Sequence, residues 1–209
     1  MKQKFLRRPW TPVVGILYLL VAVLARAGGP TDELRGAIEK VQMTLNDPQL
    51  KAAGKKGERL DKLRQVIQPK FDFTEMAKRS LGANWQRRNP EEQREFVKVF
   101  TDLLENAHVD SIDSYDGEKV VFTNEKQDKE YGEVNTKIVT KKGEEFSVNY
   151  KLHQASGNWK VYDVVIENIS IVNNFRSQFN RVIAKSSYED LLRTMKEKRF
   201  DAPGKRGKA

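Results

Sequence analysis

Apolar residues in the first half of the chain recur every three or four positions. Leu34, Ile38, Val41 and Leu45 do so behind Thr31, Asp32 and Glu33. That spacing predicts an amphipathic helix with Thr31 as its cap, stopping near Asn46-Asp47-Pro48. A second helix is predicted over 58–68, ended by Pro69, with Leu60, Leu63, Val66 and Ile67 on one face. Phe71-Asp72-Phe73 opens a third, short helix: Asp72 is placed to cap it, Met76, Ala77 and Leu81 to pack inward, and Gly82 to end it. The next start is the clearest. In Asn89-Pro90-Glu91-Glu92, Asn caps, Pro takes the first helical position and Glu92 falls where a capping box needs it. Phe96, Val97, Phe100, Leu103, Leu104 and Ala107 follow as one stripe.

After Tyr115-Asp116-Gly117 the period drops to two. Segments 120–123, 132–140, 145–153 and 158–168 read as strands, and Lys142-Gly143 and Ser156-Gly157 punctuate the last three as antiparallel hairpins. Phe146, Val148, Tyr150 and Leu152 alternate with Ser147, Asn149, Lys151 and His153, so this sheet has one apolar face and one wet face. The last strand breaks the rule. Trp159 and Val161 face one way, Tyr162, Val164 and Ile166 the other, which means a strand covered on both sides or a bulged one. A helix over 174–199 closes the chain, its stripe formed by Phe175, Phe179, Val182, Ile183, Leu191 and Met195. The fold class is therefore α+β: N-terminal helices, a four-stranded antiparallel meander and a covering C-terminal helix.

The extreme N-terminus belongs to none of these layers. Lys2, Lys4, Arg7 and Arg8 precede an apolar run over 13–25 and the small-x-small site Ala25-Arg26-Ala27. The run is shorter than the ~20 residues a membrane-spanning helix needs, so residues 1–27 are expected to be a cleaved secretory signal. Pro9-Trp10 directly after Arg7-Arg8 argues against the twin-arginine route, and no Cys is present to carry a lipid anchor. Five basic residues leave with this segment and no acidic one, so the formal net charge falls from +9 to +4. The stretch 196–209 carries the remaining excess, which leaves the body neutral. A nucleic-acid domain would hold its basic surface on the fold, so nucleic acid is not an expected partner. One domain is expected over 28–199, followed by a basic, disordered tail over 200–209, and without cysteine its stability must come from packing.

Catalytic patterns are missing. The two histidines, His108 and His153, stand in unrelated contexts, with no HExxH, GxSxG or Gly-rich phosphate loop, so neither a metal nor a cofactor is expected. His153, on the wet side of its strand, reads as a surface histidine. Asp163 stands out among polar residues, because alternation puts it beside Trp159 and Val161. Two roles fit it: general base in a cone-shaped α+β enzyme, or structural partner of Arg176 on the following helix. The apolar faces of sheet and helices either close on each other as a solid core or stand apart around a ligand, and the pattern alone leaves both open.

Phe71-Asp72-Phe73 through Gly82-Ala83-Asn84-Trp85 resembles a segment of the MlaC (toluene-tolerance, Mla-pathway) family of periplasmic phospholipid-binding proteins. The resemblance continues through Glu92-Gln93-Arg94-Glu95-Phe96, Phe100 and Leu104. It is strongest in Trp159-Lys160-Val161-Tyr162-Asp163-Val164, Ser170 and Asn174-Phe175-Arg176-Ser177-Gln178-Phe179. Asn168 departs from a common Gly, and Phe175 from a common Tyr. The resemblance implies a monomeric periplasmic carrier with phospholipid tails in an apolar pocket between sheet and helices. It would exchange lipid between an outer-membrane lipoprotein–porin complex and an inner-membrane ABC transporter with its substrate-binding ring. Face assignment then offers Phe96, Phe100, Leu104, Val148, Tyr150, Val164, Ile166 and Val172 as tail contacts, with Arg176 and Asp163 as a head-group or structural pair. A same-family carrier of another apolar lipid, such as a hopanoid, and the enzyme using Asp163 as base are the alternatives.

Overall fold

A computed structural model describes residues 28–113, 115–197 and 200, the side chains of 108–113 excepted; the predicted signal and the tail beyond Phe200 lie outside this range. Helix α1 (Pro30–Asn46) is followed by the single turn α2 (Pro48–Lys51), α3 (Lys56–Ile67) and a 3-10 turn at Gln68–Lys70. Then come α4 (Phe73–Leu81), a 3-10 segment at Gly82–Arg87 and the long α5 (Pro90–Asp113). Strands β1 (Lys119–Asp128), β2 (Tyr131–Val139), β3 (Glu145–Ala155), β4 (Asn158–Ile166) and the two-residue β5 (Ile169–Ser170) form one antiparallel sheet in sequence order. Helices α6 (Ile171–Lys185) and α7 (Tyr188–Lys196) close the fold.

Two predicted caps form as expected. Asp72 accepts from the Glu75 amide at 2.9 Å at the start of α4. Asn89 accepts from the Glu91 and Glu92 amides, while Glu92 accepts from the Asn89 amide at 2.8 Å, which is a complete capping box. Thr31 is not a cap. Helix α1 begins two residues earlier than that cap requires, with Gly29 at the cap and Pro30 in the first turn, and the Thr31 amide donates to Glu125 of β1 at 2.9 Å. Gly132 in β2 lets this helix start lie on the sheet: a Cβ there would come within 3.0 Å of Pro30 and 3.4 Å of Trp159.

The sheet has five strands where four were expected, and β1 runs five residues past its predicted end. Glu125, Lys126, Gln127 and Asp128 carry no apolar signal, yet they pair in register with Val134, Glu133, Gly132 and Tyr131. Their polarity suits a sheet edge that must not pair with another chain. Between β3 and β4, Ser156 (φ 52) and Gly157 (φ 81) form the tight two-residue hairpin that needs left-handed backbone at both positions. The irregular β4 is bulged: Lys151 faces Asp163 while Leu152 faces Val161, which leaves Tyr162 as the extra residue. Asn168 then turns the chain at φ 67, a conformation Asn tolerates better than most residues.

The predicted final helix is two. At Ser186-Ser187 the backbone leaves the helix, and Ser187 Oγ accepts from the Asp190 amide at 3.1 Å to start α7. The break lets α7 fold back, burying Tyr188, Leu191 and Met195. Phe96 and Phe100 of α5 meet Phe175 and Phe179 of α6 edge-to-face, with centroids 5.7 to 6.1 Å apart, and all four are fully buried. Phe200, placed in the tail by sequence, closes edge-on over Phe179 at 5.2 Å.

Candidate functional site

Between α3 and the sheet the layers do not close. A half-open cavity of about 350 Å³ remains there. Leu60, Leu63 and Ile67 of α3 form one wall. Opposite stand Val148 and Tyr150 of β3 with their cross-strand partners Ile166 and Val164 of β4. Leu104 of α5, Ile171 of α6, and Phe71, Phe73 and Met76 complete the lining, the two Phe rings stacked 5.7 Å apart. The geometry follows from where α3 packs: it leans on α1 and α2, and the cavity lies between it and β3 and β4.

The charged side chains of the lining, Arg64 and Glu105, stand together with Gln68 in a short arc at the edge. Arg64 Nε donates to Glu105 Oε2 at 2.8 Å, and a second guanidinium nitrogen donates to Asp61 at 2.7 Å. Gln68 Nε2 donates to the other oxygen of Glu105 at 3.0 Å. Glu105 thus ties the end of α3 to α5 across the cavity edge. The hydrogen bond to Glu105 raises the already high Arg64 pKa further, so this cation persists at any physiological pH. Tyr150 is the polar residue of the sheet wall, and burial pushes its phenol up to about 12, so it stays neutral. Among the described residues no group of His, Asp and Glu is placed to hold a metal ion.

Five of the eight predicted tail contacts, Leu104, Val148, Tyr150, Val164 and Ile166, line this cavity. Phe96, Phe100 and Val172 do not. The two phenylalanines lie in the aromatic core, and Val172, 3% exposed, sits in the first turn of α6 with its amide on Asp163. An inward-facing residue on the correct face can still lie past the end of the cavity. Missed were Phe71, Phe73, Met76 and Ile171, the rim, and Leu60, Leu63 and Ile67 of α3. The α3 stripe was visible, but nothing in it says which part of the sheet lacks a covering partner.

Asp163 and Arg176 are not a pair. Asp163, 4% exposed, accepts from the Ser170 hydroxyl at 2.7 Å and the Val172 amide at 3.1 Å, and its nearest cation is Lys151 at 3.9 Å. Arg176 instead donates to the Arg79 carbonyl at 2.7 Å, tying α6 to α4. The bulge at Tyr162 turns Asp163 toward the β5–α6 corner, and neither residue lines the cavity. His153 is also engaged: its Nε2 lies 3.0 Å from Asp72, the cap of α4, so it is no free surface histidine.

Known proteins are similar to this chain in sequence and in fold. The family model described as MlaC protein matches residues 35–197. The intermembrane phospholipid transport system binding protein MlaC of Haemophilus influenzae is 21% identical over 140 residues, 65% of this chain and 65% of that protein. The toluene tolerance protein ttg2D of Pseudomonas putida is 24% identical over 186 residues, 87% of this chain and 86% of its own. A phospholipid-binding protein from Ralstonia solanacearum, solved in complex with a phospholipid, superposes with a TM-score of 0.72 at 23% identity. It covers 82% of this chain and 97% of its own.

Proposed function

Since the chain belongs to the MlaC family, we propose that it is a phospholipid carrier whose cavity beneath α3 receives the acyl chains and whose Arg64–Glu105–Gln68 edge meets the head group. The observation that carries this reading is the cavity itself: about 350 Å³ of apolar space, open on one side, with its charges gathered at the edge. That shape suits a molecule with an apolar body and a polar end. Burying one methylene contributes ~0.8 kcal/mol, so a chain of about fifteen gives on the order of 12 kcal/mol. Such a ligand leaves slowly unless a partner opens or replaces the site. The expected route runs through the periplasm, between an outer-membrane lipoprotein–porin complex and an inner-membrane ABC transporter with its substrate-binding ring. Export by the predicted signal and the names of the relatives support it.

Protein recovered from a bacterial periplasm and extracted under denaturing conditions is expected to yield phospholipid by mass spectrometry. A hopanoid or other terpenoid in the extract would replace the cargo while keeping the carrier. Repeated recovery without lipid, together with failure to take lipid from vesicles, would sink the reading.

Glu105 offers a second test. The exposed ties it makes contribute about 0–1 kcal/mol each, so Glu105→Ala should barely change stability. It does release α3 from α5 at the cavity edge. Transfer of a fluorescent phospholipid to acceptor vesicles is expected to quicken several-fold; an unchanged rate would remove this edge from the exchange step.

A further inference from the structure

Two tyrosines in this fold are buried deeply enough to hold their phenols up at about 12. They differ in what the hydroxyl does. Tyr188 donates to the Glu92 carbonyl at 3.1 Å, which is the ordinary fate of a buried tyrosine. Tyr150 makes no hydrogen bond to any described residue. It stands in the cavity wall with its cross-strand partner Val164 and with Val148 and Ile166, all aliphatic. It is half-buried and lines the cavity. Its hydroxyl faces a cavity open to water, so it is free to exchange a water for an acceptor on whatever enters.

The chemistry of that acceptor can be narrowed. A phosphodiester carries a full charge, and drawing it among Val148, Val164 and Ile166 would strip its hydration with no cation beside it. The cation of the lining, Arg64, stands at the edge instead, where it is paired with Glu105 and Asp61. A neutral donor in an aliphatic wall is matched by a neutral acceptor attached to hydrocarbon. An acyl ester carbonyl is such a group, at the junction of tail and glycerol. Resting on the carrier reading above, we propose that Tyr150 determines ligand class: its hydroxyl donates to an ester carbonyl of the bound lipid, so the cavity selects ester-linked diacyl lipids over ether-linked lipids and plain terpenoid hydrocarbons.

The test compares two phosphatidylethanolamines of equal chain length, one diacyl and one dialkyl-ether, in competition against a fluorescent phospholipid. Wild type is expected to favour the ester lipid by about three- to tenfold, the range one neutral hydrogen bond supports. In Tyr150→Phe the two lipids should compete equally, and the apo protein should melt no lower than wild type because no internal bond is lost. Absence of an ester preference in wild type, or its persistence in Y150F, overturns the assignment. So does a Y150F chain that melts lower or fails to fold, which would give the hydroxyl a structural partner. If wild type binds neither lipid, it is the carrier reading that falls.

Discussion

Asp163→Ala should lower the stability of the apo protein by about 3–5 kcal/mol, the sum expected for two charge-assisted hydrogen bonds. For a chain of this size that corresponds to a melting temperature lower by roughly 6–20 °C. The effect is large because Asp163 serves two elements at once. Its oxygens hold the Ser170 hydroxyl and the Val172 amide, and the same Ser170 oxygen accepts from the Asn173 amide at 3.0 Å to cap α6. A carboxylate beside the first turn of a helix also gains from the exposed amides there. Removing it leaves the buried Val172 amide unpaired and loosens the corner that aims Ile171 into the cavity. Asp163→Asn keeps the shape and one acceptor, so it should lose about 1–2 kcal/mol. Ser170→Ala should cost about 1 kcal/mol as a lost cap, and the double variant should fall short of the sum because the bonds share a chain. Chemical denaturation followed by circular dichroism reads all four proteins. Unchanged stability in Asp163→Ala would remove the corner from this account. If Asp163 were instead the base of an enzyme, Asp163→Asn would abolish turnover while a carrier would keep its lipid.

The misplaced pairing of Asp163 with Arg176 marks where sequence stops informing structure. Asn89-Pro90-Glu91-Glu92 could be read as a helix start because all its partners lie within three residues, and the bonds form as the spacing requires. Strand β1 could not be read to its end, because Glu125 to Asp128 are held by β2 and carry no apolar signal of their own. The Arg176 side chain is claimed by the carbonyl of Arg79, 97 positions away, and no periodicity in either segment announces that contact. The cavity shows the same limit in another form. Faces were legible: Val148, Tyr150, Val164 and Ile166 were assigned inward and line the space. Which inward residues meet a partner and which meet a void depends on where α3 comes to rest, and that is decided by its packing on α1 and α2.

Filling that void should abolish lipid uptake. Val164→Trp places an indole from the sheet wall toward Leu63 and Leu60, into space the fold leaves empty, so it need not displace packed atoms as an overpacking substitution does. Stability is expected to hold or rise, because new apolar contact replaces open surface. Lipid recovered with the protein should drop at least tenfold, since a loss of only about 1.4 kcal/mol from a burial of ~12 kcal/mol already costs a factor of ten. The matched control is Phe100→Leu. Phe100 was a predicted tail contact, but it packs against Phe175 and Phe179 outside the cavity. Its substitution should cost a fraction of the about 3–5 kcal/mol that Phe→Ala costs in a core, and leave the lipid in place. The two variants therefore move opposite quantities, one cargo and the other stability. Lipid content measured by mass spectrometry beside a melting curve separates them. A Val164→Trp protein that folds and still carries a full complement of phospholipid would show that the acyl chains lie somewhere other than beneath α3.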